Sequence, residues 1–486
     1  MTELNLKNKA LLKTQSFING EWVDTGKTFD VINPATGKVL AQVTDCGSKE
    51  TEQAIEAAHI AFPQWAAKTA KERAEVLKKW YQLIMANKED LGAIMTAEQG
   101  KPLKEAIGEI GYGAAFVEWF AEEGKRIYGD VIPNTAPGTR IVTTKQPIGV
   151  CGMITPWNFP SAMITRKMPP ALAAGCTVIS KPAESTPLSA LALAVLAEEA
   201  GFPKGVINVV TTDDSSTVGK TLCESEKVRK MSFTGSTKVG KILMEQCAQT
   251  MKRMSLELGG NAPFIVFDDA DIDAAVEGAI AGKFRNCGQV CIAPNRFYIQ
   301  EGVYEEFAAK LADKMRNINV GDGFDEDSDI GPLINEAGLE KVEKHIKDAV
   351  DNGAEILVGG QRHEKGQTFF QPTLLKDMKD NMKIATEETF GPVAPLFRFK
   401  DEDDVIHKAN DTIYGLASYF FARDVGRVWK VAEALEYGIV GINSGLISTE
   451  VAPFGGMKQS GMGREGSKYG IDEFVEIKYM LMGGLN

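Results

Sequence analysis

The sequence predicts an α/β protein with two doubly wound domains, each built on a mostly parallel sheet. From residue 147 to residue 267, short apolar runs alternate with helical stretches, a pattern typical of βαβ units. A second alternating region follows, from residue 271 to about residue 437. The chain has 486 residues. Since domains usually contain about 100 to 200 residues, this length also favours two large domains.

The first alternating region contains six predicted strands and four predicted helices. The predicted strands are 148–154, 177–180, 206–210, 230–233, 254–258 and 264–267. The predicted helices are 161–174, 187–200, 216–224 and 236–250, and three more precede them at 51–65, 71–98 and 103–124. In sheets of this kind ligands bind at the carboxyl ends of the strands, so the loops after these strands are candidate sites.

The second region and the chain end carry weaker patterns. Predicted helices are 303–315, 336–352 and 401–409, and predicted strands are 355–357 and 393–399. The two regions join near Gly259 and Gly260. Segments 139–146 and 474–481 can pair as two exposed strands, which is a natural device for oligomerisation.

Charge and composition exclude several classes of protein. Lys and Arg number 54 against 66 Asp and Glu, a net charge of −12, which disfavours a binder of nucleic acid or anionic membranes. An anionic substrate would therefore need local arginines. The N-terminal segment has no signal-peptide core, and apolar stretches such as 171–179 are too short to span a bilayer. We therefore expect a cytoplasmic protein.

The seven cysteines and four histidines predict neither a disulfide framework nor a metal site. The cysteines are odd in number and scattered, and no pair of cysteines or histidines has zinc-ligand spacing. Cys291, after Gly288 and Gln289 and near the predicted end of a helix from Asp271, is the candidate nucleophile. A buried, inert cysteine explains this segment equally well.

Two polar residues at strand ends are candidates for acid–base and oxyanion chemistry. Glu257 ends an apolar strand before two glycines, and burial would raise its pKa toward the range of a general base. Asn158 lies in a Pro-rich loop after a strand, where a fixed carboxamide can donate to an oxyanion. Taken alone, a salt-bridged glutamate and a turn asparagine are the simpler interpretations.

Two further loops are candidates for binding a nucleotide. Gly235 and Ser236 lie between a strand and a helix, and a helix N-terminus binds phosphate through its free N–H groups. An N-cap serine after a tight turn explains the motif equally well. Lys181 and Glu184 follow another strand, where a carboxylate can accept hydrogen bonds from ribose hydroxyls; a solvated loop is the alternative.

Taken together, the ordered segments PWNFP, KPAE, FTGS, LELGGNAP, GQVC, EETFGP and PFGGMK resemble the aldehyde dehydrogenase superfamily over essentially the whole chain. The resemblance implies two Rossmann-like domains and a small β flap. It implies a dinucleotide-binding domain of residues 1–127 and 150–259, a catalytic domain of residues 260–470, and a flap of residues 128–149 and 471–486 that forms dimers or tetramers.

The resemblance also assigns roles to individual residues. Cys291 is the implied nucleophile, Glu257 the general base, and Asn158 with the Cys291 backbone N–H the oxyanion hole. The cofactor is NAD or NADP, and NAD is preferred because Glu184 would repel a 2′-phosphate. The implied cofactor-binding residues are Trp157, Lys181, Glu184, Gly235, Ser236, Leu258, Glu388 and Phe390.

Within the superfamily the sequence is most similar to the succinate-semialdehyde dehydrogenases, on the strength of Arg166, Arg285 and Ser448. In that group the matching residues bind the distal carboxylate of the substrate, as two guanidinium groups and a hydroxyl can. The alternative is that the arginines make structural ion pairs. Glutarate semialdehyde, a broader range of aldehydes, or a non-enzymatic binding protein are the other functions considered.

One departure concerns redox regulation. Many succinate-semialdehyde dehydrogenases carry a second cysteine two residues after the nucleophile, where this chain has Ala293. Cys287 lies four residues before Cys291 instead, and disulfide formation between the two depends on geometry that the sequence does not define.

Overall fold

The computed structural model describes residues 4–485 and confirms the predicted α/β fold. The strands, in chain order, are β1 Ser16–Ile18, β2 Glu21–Val23, β3 Thr28–Ile32, β4 Val39–Thr44, β5 Val131–Ile132, β6 Arg140–Pro147, β7 Val150–Ile154, β8 Thr177–Lys181, β9 Ile207–Val209, β10 Val228–Thr234, β11 Arg253–Glu257, β12 Ala262–Val266, β13 Pro294–Gln300, β14 Glu355–Val358, β15 Thr373–Lys376, β16 Val393–Phe399, β17 Ala417–Phe421, β18 Ile439–Ile442, β19 Gly461–Met462 and β20 Val475–Met482.

The α-helices alternate with these strands through most of the chain. They are α1 Ser48–Ala66, α2 Ala70–Ala86, α3 Lys88–Gln99, α4 Leu103–Glu123, α5 Ala162–Ala174, α6 Pro187–Ala200, α7 Ser215–Glu224, α8 Thr237–Ala248, α9 Ile272–Phe284, α10 Tyr304–Met315, α11 Glu336–Asp351, α12 Lys383–Thr386, α13 Glu402–Asn410 and α14 Val425–Ala434. None of the helices within residues 4–485 has both the length and the apolar character needed to cross a membrane.

The first sheet has eight strands in the order β19-β11-β10-β7-β8-β9-β1-β2. Its five central strands are parallel, β19 and β1 pair antiparallel with them on either side, and β2 pairs antiparallel with β1 at the edge. The predicted strands of this region match the central five to within about two residues. The edge strand β19 comes from the segment assigned to the catalytic domain, so that segment returns to the first sheet. The proposed domain boundaries stay a prediction.

The second sheet has seven strands in the order β14-β15-β16-β13-β12-β17-β18. All neighbours are parallel except β14 and β15. Its core is aromatic: the Phe264 ring on β12 lies 5.1 Å from both the Phe297 and the Phe421 rings. Because both faces are covered by helices, the central strands are buried and read as continuous apolar runs.

The small third sheet joins the two segments predicted to pair. Strand β20 runs antiparallel to β6 in the order β20-β6-β5, with Tyr479 opposite Thr143. Its side chains are largely exposed; Ile477 is 70% and Tyr479 is 59% accessible. The pairing of strands is therefore observed, and the role of the flap in oligomerisation stays a prediction.

Two local features differ from the sequence expectation. The helix predicted over 71–98 divides into α2 and α3 at Asn87, whose side chain donates to the carbonyl of Leu83 and ends the first helix. The four short strands β1 to β4 were not predicted, because none exceeds six residues and only β3 alternates strictly between buried and exposed positions.

Candidate active site

The carboxyl ends of the first sheet face a cleft of about 370 Å³. Loops after β7, β10 and β11 line one side, and the segments around Cys291 and Glu388 line the other. Eight of the predicted site residues line this cleft: Trp157, Asn158, Gly235, Ser236, Leu258, Cys291, Glu388 and Phe390. The same walls include residues that the sequence did not single out, among them Thr234, Gln289, Asn335 and Lys341.

Cys291 is partly exposed, and all seven cysteines are free thiols. Burial raises the pKa of Cys291 to about 12, and the positive charges of Arg166 and Arg285 oppose that rise. The thiol is therefore protonated at neutral pH, which differs from the expected thiolate-favouring environment. A Cβ on Gly260 would overlap the carbonyl oxygen of Cys291, so glycine at 260 permits this close approach.

The turn that precedes Cys291 has an unusual backbone. Helix α9 ends at Phe284, and Asn286, Cys287 and Gly288 follow with φ of 48°, 55° and 74°. Consecutive left-handed non-glycine residues are uncommon and need support from the surrounding structure. The Cys287 side chain is buried, and burial raises the pKa of its thiol.

Glu257 is the last residue of β11 and is 2% exposed. Neither carboxylate oxygen has a hydrogen-bond partner within residues 4–485. Burial raises the pKa of Glu257 well above its usual value, and Glu465 raises it further, whereas Arg166 and Lys167 lower it. Glu257 is therefore buried and unpaired, not the salt-bridged strand-end glutamate that was the simpler interpretation. Such a carboxyl takes up a proton more readily than an exposed glutamate does.

Asn158 is 3% exposed, and its backbone carbonyl is held by two hydrogen bonds. Its carbonyl accepts hydrogen bonds from the Lys101 Nζ at 2.8 Å and from the Asn286 Nδ2 at 2.9 Å. Its own Nδ2 donates to the carbonyl of Gln289 at 2.9 Å, two residues before Cys291. Because an amide nitrogen carries two hydrogens, one remains available to another acceptor.

The backbone N–H of Cys291 is the second oxyanion donor that the family resemblance implies. In the part of the chain that the structure describes, it makes no hydrogen bond to a protein acceptor. A free backbone N–H and a fixed carboxamide on the same cleft are the components of an oxyanion-binding site.

The β10–α8 turn presents a helix N-terminus to the cleft. The Gly235 N–H donates to the carbonyl of Glu257 at 3.0 Å, which ties this turn to the end of β11. Ser236 is the N-cap of the 12-residue helix α8, and its hydroxyl accepts from the Val239 N–H. Leu258 is buried against Gly240 on that helix. The N-cap interpretation of Ser236 is thus correct, and it is compatible with anion binding.

Across the cleft from this turn lie Glu388 and Phe390. The Glu388 Oε1 accepts from the Gly260 N–H at 3.0 Å, and burial raises the pKa of Glu388 to about 7. The Trp157 and Phe390 rings meet edge to face, with centroids 5.6 Å apart. Phe390 has a φ of 57°, a strained conformation that aims its ring at Trp157.

Lys181 and Glu184 lie outside this cleft. Lys181 ends β8, is 3% exposed, and donates to the Glu184 Oε2 at 3.3 Å and to the Ser215 hydroxyl. Glu184 lines a neighbouring cavity of about 400 Å³, and Asn335 lines both cavities. The two cavities therefore adjoin.

The three predicted substrate residues differ in their partners. Arg166, on α5, is 2% exposed, and its Nη2 lies 2.9 Å from the Glu465 Oε2 without the alignment of a hydrogen bond. Lys167 also pairs with Glu465. Arg166 thus makes the structural ion pair considered as an alternative. Glu465 follows Arg166 by almost 300 residues in a polar loop, so no local sequence signal identifies it.

Arg285 and Ser448 are partly exposed. Arg285 has no carboxylate within 4.0 Å among the described residues, and its guanidinium lies 5.2 Å from the centroid of the Phe159 ring. Burial raises the pKa of Tyr112, and the positive charges of Arg166 and Arg285 oppose that rise. Tyr112 was not predicted as a site residue, and it lies within the field of both predicted arginines.

This arrangement agrees with comparisons to known proteins. The family model described as "Aldehyde dehydrogenase family" matches residues 22–480. The chain belongs to the aldehyde dehydrogenase family. It is therefore an NAD(P)-dependent oxidoreductase, as the motifs indicated.

Close relatives of this aldehyde dehydrogenase carry related names. It is 60% identical to succinate-semialdehyde dehydrogenase [NADP(+)] GabD of Escherichia coli strain K12, over 99% of this chain and 100% of the relative. It is 58% identical to glutarate-semialdehyde dehydrogenase of Pseudomonas aeruginosa, over 99% and 100%. The crystal structure of succinate-semialdehyde dehydrogenase from Burkholderia pseudomallei is 58% identical, covers 99% of this chain and 100% of that chain, and superposes with a TM-score of 0.98.

Proposed function

We propose that this aldehyde dehydrogenase oxidises succinate semialdehyde to succinate with NAD(P)+. The observation that carries the proposal is Arg285, a guanidinium without a carboxylate partner in the described chain, whose field reaches Cys291. In a protein with a net charge of −12, such a cation is a specific anchor for an anionic aldehyde. The names of the Escherichia coli and Burkholderia pseudomallei relatives support this substrate.

Acylation begins with Cys291. The Cys291 thiol loses its proton to solvent water and its sulfur attacks the aldehyde carbon, so that a C–S bond forms and the carbonyl oxygen becomes an oxyanion. The Asn158 carboxamide and the Cys291 backbone N–H donate to this oxygen, and one such donor is worth roughly 3 to 4 kcal/mol. When the oxyanion re-forms its carbonyl, hydride leaves the carbon and a thioester remains on Cys291.

The cleft fits a nicotinamide dinucleotide as the group that accepts this hydride when it is bound. Helix α8 offers its N-terminus at Gly235 and Ser236 for a pyrophosphate, with Leu258 beside it. Glu388 would hold the ribose next to the nicotinamide, and Trp157 and Phe390 would border the ring. Glu184, which lines the adjoining cavity, and Lys181, which donates to it, would hold the adenosine ribose.

Deacylation depends on Glu257. Its buried carboxylate, once deprotonated, takes a proton from water as the water oxygen attacks the thioester carbon. The C–S bond then breaks, succinate leaves, and the Glu257 carboxyl gives its proton to the Cys291 thiolate, which restores both groups. The raised pKa of Glu257 suits a base that must hold and release a proton in each cycle.

The distal carboxylate would bind mainly to Arg285 and Ser448. Arg166 shares its charge with Glu465, so we assign it a supporting role behind the substrate. Glutarate semialdehyde, one methylene longer, is a second candidate because the Pseudomonas aeruginosa relative carries that name. A methylene changes kcat/KM by only roughly 10- to 200-fold, so both can be substrates.

A panel of aldehydes tests this assignment. Succinate semialdehyde, glutarate semialdehyde and the uncharged butanal are assayed by NAD(P)H formation with the wild type and with Arg285→Met. We expect kcat/KM for the two semialdehydes to exceed that for butanal by about 10- to 100-fold, the value of a charge-assisted contact. Arg285→Met should remove this preference, because only the two semialdehydes carry a carboxylate that Arg285 can bind. A wild-type preference for butanal would contradict the assignment.

The choice between NAD and NADP depends on Glu184. As a free carboxylate it would repel a 2′-phosphate, which favours NAD. However, Lys181 and Ser215 already bind it, and both could donate to a phosphate if Glu184 moved aside. Since the Escherichia coli relative is named for NADP(+), we propose that the enzyme uses both cofactors, with a modest preference for NAD.

Glu184→Ser tests this proposal. The substitution removes the repulsion and leaves Lys181 and Ser215 in place, so the ratio of kcat/KM for NADP to that for NAD should rise by about tenfold. The kcat with saturating cofactor should not change. An unchanged ratio would show that Glu184 does not select the cofactor.

We also propose that the chain forms a homo-oligomer through the sheet of β5, β6 and β20. Its exposed apolar side chains, such as Ile477 and Tyr479, support a contact with a second copy. Cytoplasmic location stays a prediction from the sequence.

A further inference from the structure

A buried polar cluster connects two backbone carbonyls that flank the candidate oxyanion site. One is the carbonyl of Asn158, whose side-chain amide is the first proposed oxyanion donor. The other is the carbonyl of Gln289. It lies two residues before Cys291, whose backbone N–H is the second proposed donor. The Asn286 carboxamide lies between them: its Nδ2 is 2.9 Å from the Asn158 oxygen and 3.4 Å from the Gln289 oxygen.

Asn286 is itself fixed on every polar atom. Its Oδ1 accepts from the Gln99 Nε2 at 2.9 Å, and its backbone N–H donates to the Glu105 Oε2 at 2.9 Å. Its carbonyl accepts from the Gln289 N–H at 3.0 Å. Asn286 is 1% exposed. Its backbone φ is 48°, a conformation that asparagine adopts at lower cost than most residues. These bonds hold the strained turn in one shape.

The Asn158 side of the cluster is anchored from α4. The Lys101 Nζ donates to the same Asn158 carbonyl and pairs with the Glu109 Oε2 at 2.5 Å. The Glu109 Oε1 accepts the N–H groups of Ser161 and Ala162, which follow Asn158 in the chain. The loop that carries Asn158 is therefore fixed at both ends. The amide of Asn286 and that of Asn158 itself are the groups that join it to the loop of Cys291.

We propose that Asn286 is a positioning residue for the oxidation: it sets the separation between the Asn158 carboxamide and the Cys291 backbone N–H. This inference rests on the proposed roles of Asn158 and Cys291. Without the Asn286 amide, the Asn158 carbonyl and the turn before Cys291 lose their direct connection. Since a misplacement of about 1 Å can cost roughly 100-fold in rate, the loss should appear in kcat.

The test is a double-mutant cycle on kcat, with Asn286→Asp, Asn158→Ala and the double variant. Asp keeps the acceptor for Gln99 and tolerates the left-handed backbone, but it has no hydrogen to donate to either carbonyl. Cys287→Ala is the matched control, because Cys287 is buried in the same turn and its side chain makes no hydrogen bond within residues 4–485. Asn286→Gly is the second variant if Asn286→Asp does not fold.

We expect Asn286→Asp to lower kcat by roughly 100-fold with the KM for the cofactor unchanged, and Cys287→Ala to have near wild-type kinetics. In the Asn158→Ala background, Asn286→Asp should cost less than about threefold, because the group it positions is already absent. A purely structural role would lower thermal stability but leave kcat per folded molecule unchanged. Full additivity of the two substitutions, or a wild-type kcat for Asn286→Asp, would overturn the proposal.

Two arms separate this inference from the proposed substrate. The cycle uses whichever aldehyde the wild type oxidises fastest, so a wild type that prefers butanal refutes the substrate assignment alone. The crystal structure of Asn286→Asp gives a readout without substrate. We expect the contact between the Asn158 Nδ2 and the Gln289 oxygen, 2.9 Å in the wild type, to be lost. An unchanged contact would refute the positioning role even if activity fell.

Discussion

The loop after β7 and the end of β11 differ in how completely their polar groups are paired. After β7, the Asn158 carbonyl accepts from both Lys101 and Asn286, so its position is fixed. At the end of β11, the Glu257 carboxylate is equally buried but has no hydrogen-bond partner within residues 4–485. The difference separates groups that must hold still during the reaction from a group that must change its protonation. Hydrogen bonds from N–H groups favour the ionised form of a carboxylate, so a fully bonded carboxylate would be a weaker proton acceptor.

The two arginines show the same contrast. Arg166 is paired with Glu465, whereas Arg285 has no carboxylate partner in the described chain. A paired guanidinium stabilises the fold around it, and an unpaired one keeps its charge for a ligand. We therefore propose that paired groups hold the site in shape, and that unpaired groups react or bind the substrate.

Glu257→Gln should give the largest effect. The neutral amide cannot take a proton from water, so steady-state turnover should fall by about 100- to 10,000-fold. Acylation does not need this base for the hydride step, so the first turnover should still release a burst of NAD(P)H. Stopped-flow absorbance at the start of the reaction measures the burst and the steady state together.

Glu98→Gln is the matched control for that experiment. Glu98 is also fully buried with a raised pKa, about 8, but its oxygens accept the N–H groups of Leu188 and Ser189 far from the cleft. We expect it to cost stability and leave kcat unchanged. A steady-state rate of Glu257→Gln equal to that of the wild type would remove Glu257 from the mechanism.

Lys101→Met should be the most destabilising change among the paired groups around Asn158. It leaves Glu109 buried without its cation, and breaking such a pair costs about 3 to 5 kcal/mol of the free energy of unfolding. Lys283→Met is the control: Lys283 is 1% exposed, has no ion pair among residues 4–485, and its pKa is lowered to about 7 by burial. Chemical denaturation should show a loss for the first variant and little or no loss for the second. Equal losses of unfolding free energy in the two variants would contradict the difference proposed between paired and unpaired groups.

A smaller effect is expected in the pH dependence. Because burial raises the pKa of Cys291 to about 12, the thiolate fraction and kcat/KM should rise with pH through the neutral and alkaline range. Arg285 lowers the pKa of Cys291, so Arg285→Met should raise it and move this rise to higher pH. Arg285→Lys keeps the charge and should restore the wild-type profile. A profile of kcat/KM for butanal that is identical in all three proteins would exclude this influence.

The sequence predicted the fold where its signals are local. In the first sheet the apolar runs are bounded by turns and helices, so five strands were predicted to within about two residues. The edge strand β19 was missed because it is two residues long and pairs with β11 from a distant segment. Asn87 was missed as a break because α2 and α3 continue one helical pattern on either side of it.

The site divides in the same way. Cys291, Glu257 and Asn158 each stand in a short motif, so their candidacy could be inferred, although the motifs alone left simpler interpretations open. The pairing of Arg166 with Glu465 and the contact of Asn286 with Asn158 involve residues about 130 to 300 positions apart. Such contacts leave no local pattern, and only the folded chain brings their partners together.

The central claim is that Cys291 forms a thioester with the carbon of a carboxylate-bearing aldehyde and that Glu257 releases it. Mass spectrometry of Glu257→Gln, mixed with succinate semialdehyde and NAD(P)+ and quenched in acid, tests it most directly. We predict a mass gain of one succinyl group on the peptide that contains Cys291, and none on the Cys291→Ala peptide. An unmodified Cys291 peptide, or a succinyl group on another residue, would contradict the claim.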